Sequence, residues 1–353
     1  MNVLSMPHVG VLSAGPLGTI ADVSGVTVGH CTLADGPIQT GVTVIRAHRD
    51  DPFRHKVPAA ASVINGFGKS IGLVQVEELG VLETPIALTN TFGVAPVAQA
   101  QIRAAIASNL QIGRDWSTVN PLVFECNDGY LNDIQALAIE ASHYAQAFDT
   151  AAVEFERGSV GAGRGMSCFD LKGGIGSASR VVNVAGKDFT VGALVLANFG
   201  RLPMLTIDGM PLGHELHRRK QSATTAKPEQ GSIIMIVATD APLDSRQLKR
   251  LSMRAAAGLA RTGSVYGHGS GDIALAFSTA WTVPHEGDFV ATPPRLSDAR
   301  LDPLFHACAD SVEQAIIDAL WSATSVTGRD AHTRLSLREA APDLEQLLKR
   351  HTT

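Results

Sequence analysis

Short apolar runs, most of them bounded by glycine, asparagine or aspartate, recur along this chain of 353 residues. They are rich in aliphatic side chains and only a few residues long, which is typical of buried β-strands. The runs are 41–45, 85–89, 122–125, 191–197, 232–238 and 272–279. The pattern therefore predicts several strands that lie inside sheets.

Helical patterns lie between these runs. The alanine-rich stretch 94–108 is amphipathic, 132–144 opens with Asn-Asp, 244–262 places leucines on one face, and 310–323 is the last of the longer stretches. Strands that alternate with helices predict an α/β or α+β fold in which helices cover the sheets. Neither an internal repeat nor a low-complexity linker divides the chain, so we expect a single domain over 1–353. The polar segment 217–230 is predicted to be an exposed loop, and a short helix is predicted after Asp343.

Composition and charge narrow the classes of partner. Hydrophobic residues make up 45% of the chain, charged residues 18%, and the formal net charge is −5. Such a balance offers no basic field to nucleic acid and no polybasic strip to a membrane surface, so neither partner is expected.

Cysteine and histidine spacing bears on cofactors and compartment. The four cysteines are far apart, and no C-x-x-C or H-E-x-x-H pattern occurs. We therefore expect no disulfide framework, no metal and no other cofactor. Residues 1–20 lack the charged and apolar regions of a signal peptide, and the most apolar run, 233–238, is too short to cross a bilayer. A cytoplasmic location is expected.

A glycine-rich block occupies residues 158–180. Its glycine spacing does not fit the dinucleotide fingerprint, and Lys172 precedes the glycines instead of following them as in a Walker loop. The block predicts a pair of loops whose backbone approaches another chain segment or a substrate. Arg164 stands within it, and three roles stay open: narrowing an entrance, binding a substrate carboxylate, or facing solvent.

The sequence Gly269-Ser270-Gly271, followed by Asp272 and an apolar run, is the first candidate for chemistry. Glycine neighbours leave a serine hydroxyl accessible and allow backbone angles closed to other residues. The alternative is a simple glycine turn that leads into a strand. His268 stands two residues before the serine, where it either assists chemistry or occupies the turn.

Eight blocks, taken together and in this order, resemble the β-peptidyl aminopeptidase and L-aminopeptidase/D-esterase family of self-processing N-terminal serine hydrolases, the BapA- and DmpA-like group. The resemblance covers most of the chain. The blocks are 64–70 (INGFGKS), 88–91 (LTNT), 125–133 (ECNDGYLND), 158–180, 197–200 (ANFG), 207–209 (IDG), 269–273 (GSGDI) and 327–330 (TGRD).

The resemblance implies a four-layer α/β/β/α sandwich of the DmpA and ornithine acetyltransferase type. It also implies an inactive precursor that cleaves itself just before its nucleophile, here between Gly269 and Ser270. The products would be an α chain, 1–269, and a β chain, 270–353, assembled as a tetramer of such pairs. The implied substrates are short peptides and amino-acid amides or esters, including those of D- or β-amino acids.

The resemblance also implies catalytic roles for individual residues. Ser270 would form the acyl-enzyme, and its new α-amine, with an ordinary pKa near roughly 8, would serve as general base. Ser311 and Glu313 would orient the nucleophile. Asp310-Ser311-x-x-Gln314 is also a plausible helix start with Ser311 as the N-cap, and the two interpretations are compatible.

Three further residues match positions that bind the substrate in this family. Asn198 and Tyr130 would donate hydrogen bonds to the tetrahedral intermediate, and Glu125 would bind the substrate's amino group. The structural alternatives are a polar strand end for Asn198, a core tyrosine for Tyr130 and a surface carboxylate for Glu125. The sequence thus predicts a serine aminopeptidase or amidase. An N-terminal-nucleophile acyltransferase and a non-catalytic ligand-binding protein are the alternatives.

Overall fold

A computed structural model describes residues 5–219 and 230–349 of the chain. The strands are β1 (Thr27–Asp35), β2 (Ile38–Arg46), β3 (His55–Gly66), β4 (Val81–Leu82), β5 (Ile86–Asn90), β6 (Leu122–Cys126), β7 (Ser167–Cys168), β8 (Leu171–Lys172), β9 (Gly174–Val184), β10 (Lys187–Asn198), β11 (Gln230–Thr239), β12 (Gly269–Ser278), β13 (Val283–Pro284), β14 (Val326–Thr327) and β15 (Thr333–Arg334). The helices are α1 (Leu73–Leu79), α2 (Val94–Ser108), α3 (Ala141–Asp149), α4 (Leu212–Arg219), α5 (Ser245–Ser252), α6 (Ala255–Arg261), α7 (Asp302–Trp321), α8 (Leu337–Ala340) and α9 (Leu344–Lys349).

Two sheets form the centre of the fold. The larger has the strand order β13-β3-β12-β11-β10-β9, with β4 added beside β3, and the smaller has the order β1-β2-β5-β6. Strands β11 and β12 run parallel in the middle of the larger sheet, with Gly231 opposite Ser270 and Ser232 opposite Gly271. Strand β10 is antiparallel to β11 and places Asn198 opposite Ser232. The starts of β11 and β12 and the end of β10 therefore meet at one edge.

Alternation along these strands divides the apolar residues between the layers, because successive side chains of a strand face opposite sides. On β12, Ile273 and Leu275 pack into the core between the sheets, whereas Ala274 and Ala276 pack into the core under α5, α6 and α7. A third core joins α2 and α3 to the outer face of the smaller sheet. The layers are helices, sheet, sheet and helices, so the predicted α/β/β/α sandwich is confirmed.

All six predicted strand runs fall on strands, but only some helices match. Helix α2 has the predicted bounds, whereas 132–144 contains a short 3-10 turn, and α3 begins only at Ala141. The stretch 244–262 is divided into α5 and α6. Helix α7 begins at Asp302, with a proline in its first turn, so the predicted start at Asp310 is wrong.

The glycine-rich block has the predicted close backbone approaches. A Cβ atom on Gly176 would lie 1.9 Å from the Ala315 carbonyl oxygen of α7, and one on Gly163 would lie 2.5 Å from the Ile175 nitrogen. The second half of the block is nevertheless the strand β9, which the sequence did not predict. Its glycines allow β9 to lie directly under α7.

Residues 217–219 of the polar segment end helix α4, and 220–229 lie outside the described residues. A short helix, α9, follows Asp343 as predicted. Within 5–219 and 230–349, the apolar stretches of the helices fall short of what a bilayer crossing requires.

Candidate active site

A cavity of about 860 Å³ opens where the ends of β6, β11 and β12 meet. It lies at one edge of the two sheets. Its lining combines aromatic, charged and small residues: Phe67, Lys69, Thr91, Glu125, Asn127, Gly129, Tyr130, Ile134, Gly231, Ser232, His268 and Gly269. The cavity is large enough for a short peptide. The positions of the residues predicted from the sequence are therefore described relative to it.

Glu125 lies near the end of β6, and its side chain is buried at the cavity wall. Its Oε1 atom accepts a hydrogen bond of 2.7 Å from the backbone N–H of Lys69, and its Oε2 atom accepts one from the Thr91 hydroxyl. No lysine, arginine or histidine nitrogen of the described chain forms an ion pair with it. A buried carboxylate without a cation favours a positively charged ligand.

Asn198 ends β10, and its side-chain amide is held from both sides. Its Oδ1 atom accepts a 2.8 Å bond from the Ser167 backbone N–H, and its Nδ2 atom donates a 2.9 Å bond to the Asn127 carbonyl. The amide nitrogen carries two donors, and the bond to Asn127 uses one of them. The structure therefore places an oriented amide beside Ser232, its neighbour in register.

Ser232 is a candidate that the sequence reasoning missed. It lines the cavity, and its position on β11 alternates with the helix-side residues Ile233 and Met235, so its side chain faces the space between the sheets. Its hydroxyl oxygen accepts a 3.1 Å hydrogen bond from the Gly271 N–H. A Cβ atom on Gly231 would lie 2.2 Å from the Asn198 carbonyl oxygen, so only glycine fits before this serine.

A signal for Ser232 was present in the sequence. Gly231-Ser232 opens the most apolar run of the chain and directly follows its most polar segment, 217–230. This is the same arrangement of glycine, serine and strand that singled out Ser270. Sequence alone did not show which of the two strands turns its serine toward a cavity.

Ser270, the predicted nucleophile, is not among the cavity-lining residues, although Gly269 and His268 are. Its hydroxyl donates a 2.5 Å hydrogen bond to Asp272 Oδ1. Both side chains alternate with Gly271 and Ile273, so they face the helices and not the space between the sheets. The Ser270 carbonyl accepts bonds from the side chain of Asn65 and the backbone of Phe67, which fix the start of β12.

Ser311 and Glu313 are not brought to either serine. They lie in the middle of α7, where the Ser311 hydroxyl donates a 3.0 Å bond to the Val191 carbonyl. Val191 lies opposite Thr239, seven residues along β11 from Ser232, which is roughly 23 Å at the rise of a strand. The predicted orienting role therefore has no geometric support, and the alternative N-cap role fails because the helix begins at Asp302.

Burial raises the pKa of the Glu313 carboxyl, and the nearby Arg261 guanidinium partly opposes this increase. The two side chains lie 3.4 Å apart. This pairing is part of the contact between α6 and α7, and neither side chain lines the cavity.

Tyr130 reaches the cavity from the loop after β6. Its ring stacks on His332 with centroids 4.6 Å apart and planes 6° apart, and the Arg334 guanidinium lies 3.9 Å from its centroid. Within the described chain the phenol makes no side-chain hydrogen bond. The ring is thus fixed while its hydroxyl is left for a ligand.

The structure shows where Arg164 and His268 lie relative to the cavity. The Arg164 Nε atom donates a 2.7 Å bond to Gln39, and the residue does not line the cavity. His268 does line it, with its ring 6.0 Å from that of Phe67. His268 is therefore part of the cavity wall.

A layered α/β/β/α fold with a serine, an oriented amide and a buried carboxylate at one cavity defines a hydrolase of the serine peptidase type. Comparison with known proteins gives the family. The model of Peptidase family S58 matches residues 18–334, and the chain belongs to that family.

Individual relatives match over nearly their whole length. The chain is 38% identical to beta-peptidyl aminopeptidase BapA of Sphingosinicella microcystinivorans, covering 99% of this chain and 91% of the relative. The PH0078 protein from Pyrococcus horikoshii OT3 has a TM-score of 0.92 at 46% identity, covering 98% of each chain. The L-aminopeptidase D-Ala-esterase/amidase from Ochrobactrum anthropi, described as a variant of the Ntn hydrolase fold, has a TM-score of 0.88 at 34% identity, covering 98% of this chain and 97% of the other.

Proposed function

We propose that the protein is a serine aminopeptidase or amidase that removes N-terminal residues from short peptides, amino-acid amides or esters. The observation that carries this proposal is the buried Glu125 carboxylate, which lacks a cation and shares its cavity with Ser232. A substrate's N-terminal ammonium group supplies that cation. Binding it there would bring the carbonyl of the first residue toward Ser232.

We propose Ser232, and not Ser270, as the nucleophile. Its hydroxyl faces the cavity, receives a hydrogen bond from Gly271 and lies beside the amide of Asn198. The family resemblance implies cleavage just before the nucleophile, which moves the expected cleavage site from Gly269-Ser270 to Gly231-Ser232. The expected products then become 1–231 and 232–353.

Self-cleavage would supply the base. Once the Gly231-Ser232 bond is broken, the free α-amine takes the proton from the Ser232 hydroxyl as its oxygen attacks the substrate carbonyl carbon. Asn198, and Tyr130 from the other side of the cavity, donate hydrogen bonds to the developing oxyanion. The leaving amine receives the proton, and water then hydrolyses the ester on Ser232 by the same steps.

The hydrogen-bonded pair Ser270–Asp272 would act on the new α-amine of Ser232. Ser270 is the register partner of Gly231, so the new α-amine of Ser232 forms next to it. The Asp272 carboxylate, bonded to the Ser270 hydroxyl, would stabilise the ammonium group that the amine becomes once it has taken the Ser232 proton. Ser270 would thus assist turnover without forming the acyl-enzyme.

Intact-mass measurement on wild-type, Ser232→Ala and Ser270→Ala proteins tests this assignment. We expect the wild type to yield a fragment that begins at Ser232, and Ser232→Ala to stay uncleaved and inactive. Ser270→Ala should lose activity by roughly 10- to 100-fold without abolishing it, since it removes one orienting hydrogen bond. A fragment that begins at Ser270 in the wild type would refute the assignment.

The substrate range, the assembly, the location and the acyl acceptor are further predictions of this proposal. The names of the relatives bring β-amino acids and D-alanine esters into the range of substrates to be tested. A tetramer of α and β chains and a cytoplasmic location stay predictions. An acyltransferase would pass the acyl group to an amine, and product analysis with and without a competing amine acceptor separates it from a hydrolase.

A further inference from the structure

Lys69 is the one lysine on the cavity wall among the residues that the structure describes. Its backbone N–H donates to Glu125, and its side chain is exposed. The Nζ atom lies 4.5 Å from the centroid of the Phe67 ring. A cation–π contact of this kind favours a position of the charge beside the ring, which also lines the cavity. Within 5–219 and 230–349, no carboxylate lies within 4 Å of Nζ.

The cavity therefore presents one negative and one positive group that do not neutralise each other. The Lys69 N–H is bonded to the Glu125 carboxylate, and a lysine side chain of five bonds reaches up to about 6 Å from its Cα atom. The Lys69 ammonium group can therefore take up a position about one small molecule away from that carboxylate. Two residues of extended peptide span about 7 Å. A dipeptide with a free ammonium group and a free carboxylate carries its charges at that separation.

We propose that Lys69 binds the C-terminal carboxylate of the substrate, so that the enzyme prefers free dipeptides over longer or C-terminally blocked ones. This inference rests on the proposed function, because it takes the ammonium group to be at Glu125 and the attacked carbonyl at Ser232. The departing residue then lies against Phe67, and its carboxylate forms a charge-assisted hydrogen bond with Nζ.

The experiment compares four substrates that share one N-terminal residue, alanine or β-alanine, whichever p-nitroanilide the wild type cleaves faster. They are X-Gly, X-Gly-amide, X-Gly-Gly and X-Asp-amide. The fourth carries a carboxylate on its side chain only and so separates the two possible sources of that group. The kcat/KM ratios are measured for wild type, Lys69→Met, Lys69→Arg and the control Lys187→Met, which removes an exposed lysine at the start of β10.

We expect wild type and Lys187→Met to cleave X-Gly about two- to fivefold better than X-Gly-amide, the modest size that a solvent-exposed charge supports. Lys69→Met should lose this preference, and Lys69→Arg should keep most of it. X-Gly-Gly should be cleaved more slowly than X-Gly, because its carboxylate extends past Nζ.

Three results would overturn the inference: an equal rate on X-Gly and X-Gly-amide in the wild type, an unchanged ratio in Lys69→Met, or a preference for X-Asp-amide over X-Gly. The ratio of kcat/KM for X-Gly to that for X-Gly-amide can be measured as long as Lys69→Met turns over both substrates. Thermal melting checks that this variant is folded. Failure of the proposed function looks different, since the wild type would then cleave none of the four substrates nor the anilide.

Discussion

At the scale of single residues, the proposed aminopeptidase chemistry depends on a small number of buried polar groups around one cavity. Glu125 and Asn198 were predicted from the family resemblance. In the structure Glu125 lines the cavity, and Asn198 lies opposite the cavity-lining Ser232. Ser232 was not predicted, because two Gly-Ser pairs precede strands in this sequence. Which serine faces a cavity is decided by strand pairing between distant segments, and one sequence does not contain that information.

Replacing Glu125 with glutamine tests the ammonium site. The substitution keeps the shape but removes the negative charge, so kcat/KM for free-amine substrates should fall roughly 100-fold while N-acylated analogues change little. Steady-state kinetics on paired free and N-acetylated anilides measures both, with the exposed Glu154→Gln as the control for an acidic surface residue. Equal losses on the two substrate types would contradict the assignment.

Asp128, next to the carbonyl that holds Asn198, gives a prediction about pH. Burial raises the pKa of its carboxyl to about 6. In the folded protein it therefore keeps a proton that the unfolded chain, with a pKa near 3.9, has released. Its contribution to the free energy of unfolding is present below about pH 4 and is lost as pH rises to about 6.

Asp128→Asn should remove that pH dependence. Urea unfolding of wild type and variant between pH 4 and pH 7 should show a difference in free energy of unfolding that changes by about 2 kcal/mol across this range, in favour of the variant at the higher pH. A difference that stays constant with pH would show that Asp128 does not titrate there.

At the scale of elements, the six predicted strand runs matched the structure better than the predicted helix bounds for a physical reason, although the long strands β1, β3 and β9 were not predicted. A buried strand needs only a short apolar run, which each of the six predicted runs supplies. Helix bounds depend on caps and breaks, and the Leu301-Asp302-Pro303 start of α7 was overlooked in favour of Asp310. That error also made Ser311 look like a helix cap. Its hydroxyl instead donates a hydrogen bond to the Val191 carbonyl of β10, roughly 23 Å along the sheet from Ser232.

The glycines of β9 give a prediction at this scale. A methyl group on Gly176 would lie 1.9 Å from the Ala315 oxygen, so Gly176→Ala should separate β9 from α7 and cost about 2–4 kcal/mol of stability. Gly186, in the β9–β10 turn, has a positive φ but open space around its Cα atom. Gly186→Ala should therefore cost only about 1 kcal/mol, and equal costs in chemical denaturation would contradict the packing argument.

At the scale of the whole molecule, cleavage before Ser232 would divide the larger sheet but not separate its parts. Strand β12 and β11 from Ser232 onward would belong to fragment 232–353, and the neighbouring strands β10 and β3 to fragment 1–231. Backbone ladders and the two main cores would then cross between the fragments.

We therefore expect the two fragments of the cleaved protein to elute together in size-exclusion chromatography and to separate only in denaturant. The uncleaved Ser232→Ala protein is the reference, because the fold should be the same before and after cleavage. The cleaved wild type should therefore elute at the same volume. Dissociation of the fragments in native buffer would contradict the idea that both contribute to one core.

Locating the acyl group on the protein distinguishes Ser232 from Ser270 as the nucleophile. The wild type is mixed with a slowly deacylating amino-acid ester, quenched in acid, digested, and searched by mass spectrometry for a serine that carries the acyl group. We expect the added mass on the peptide that begins at Ser232, and its absence after Ser232→Ala substitution. The same mass on the peptide that contains Ser270, with Ser232 unmodified, would contradict it.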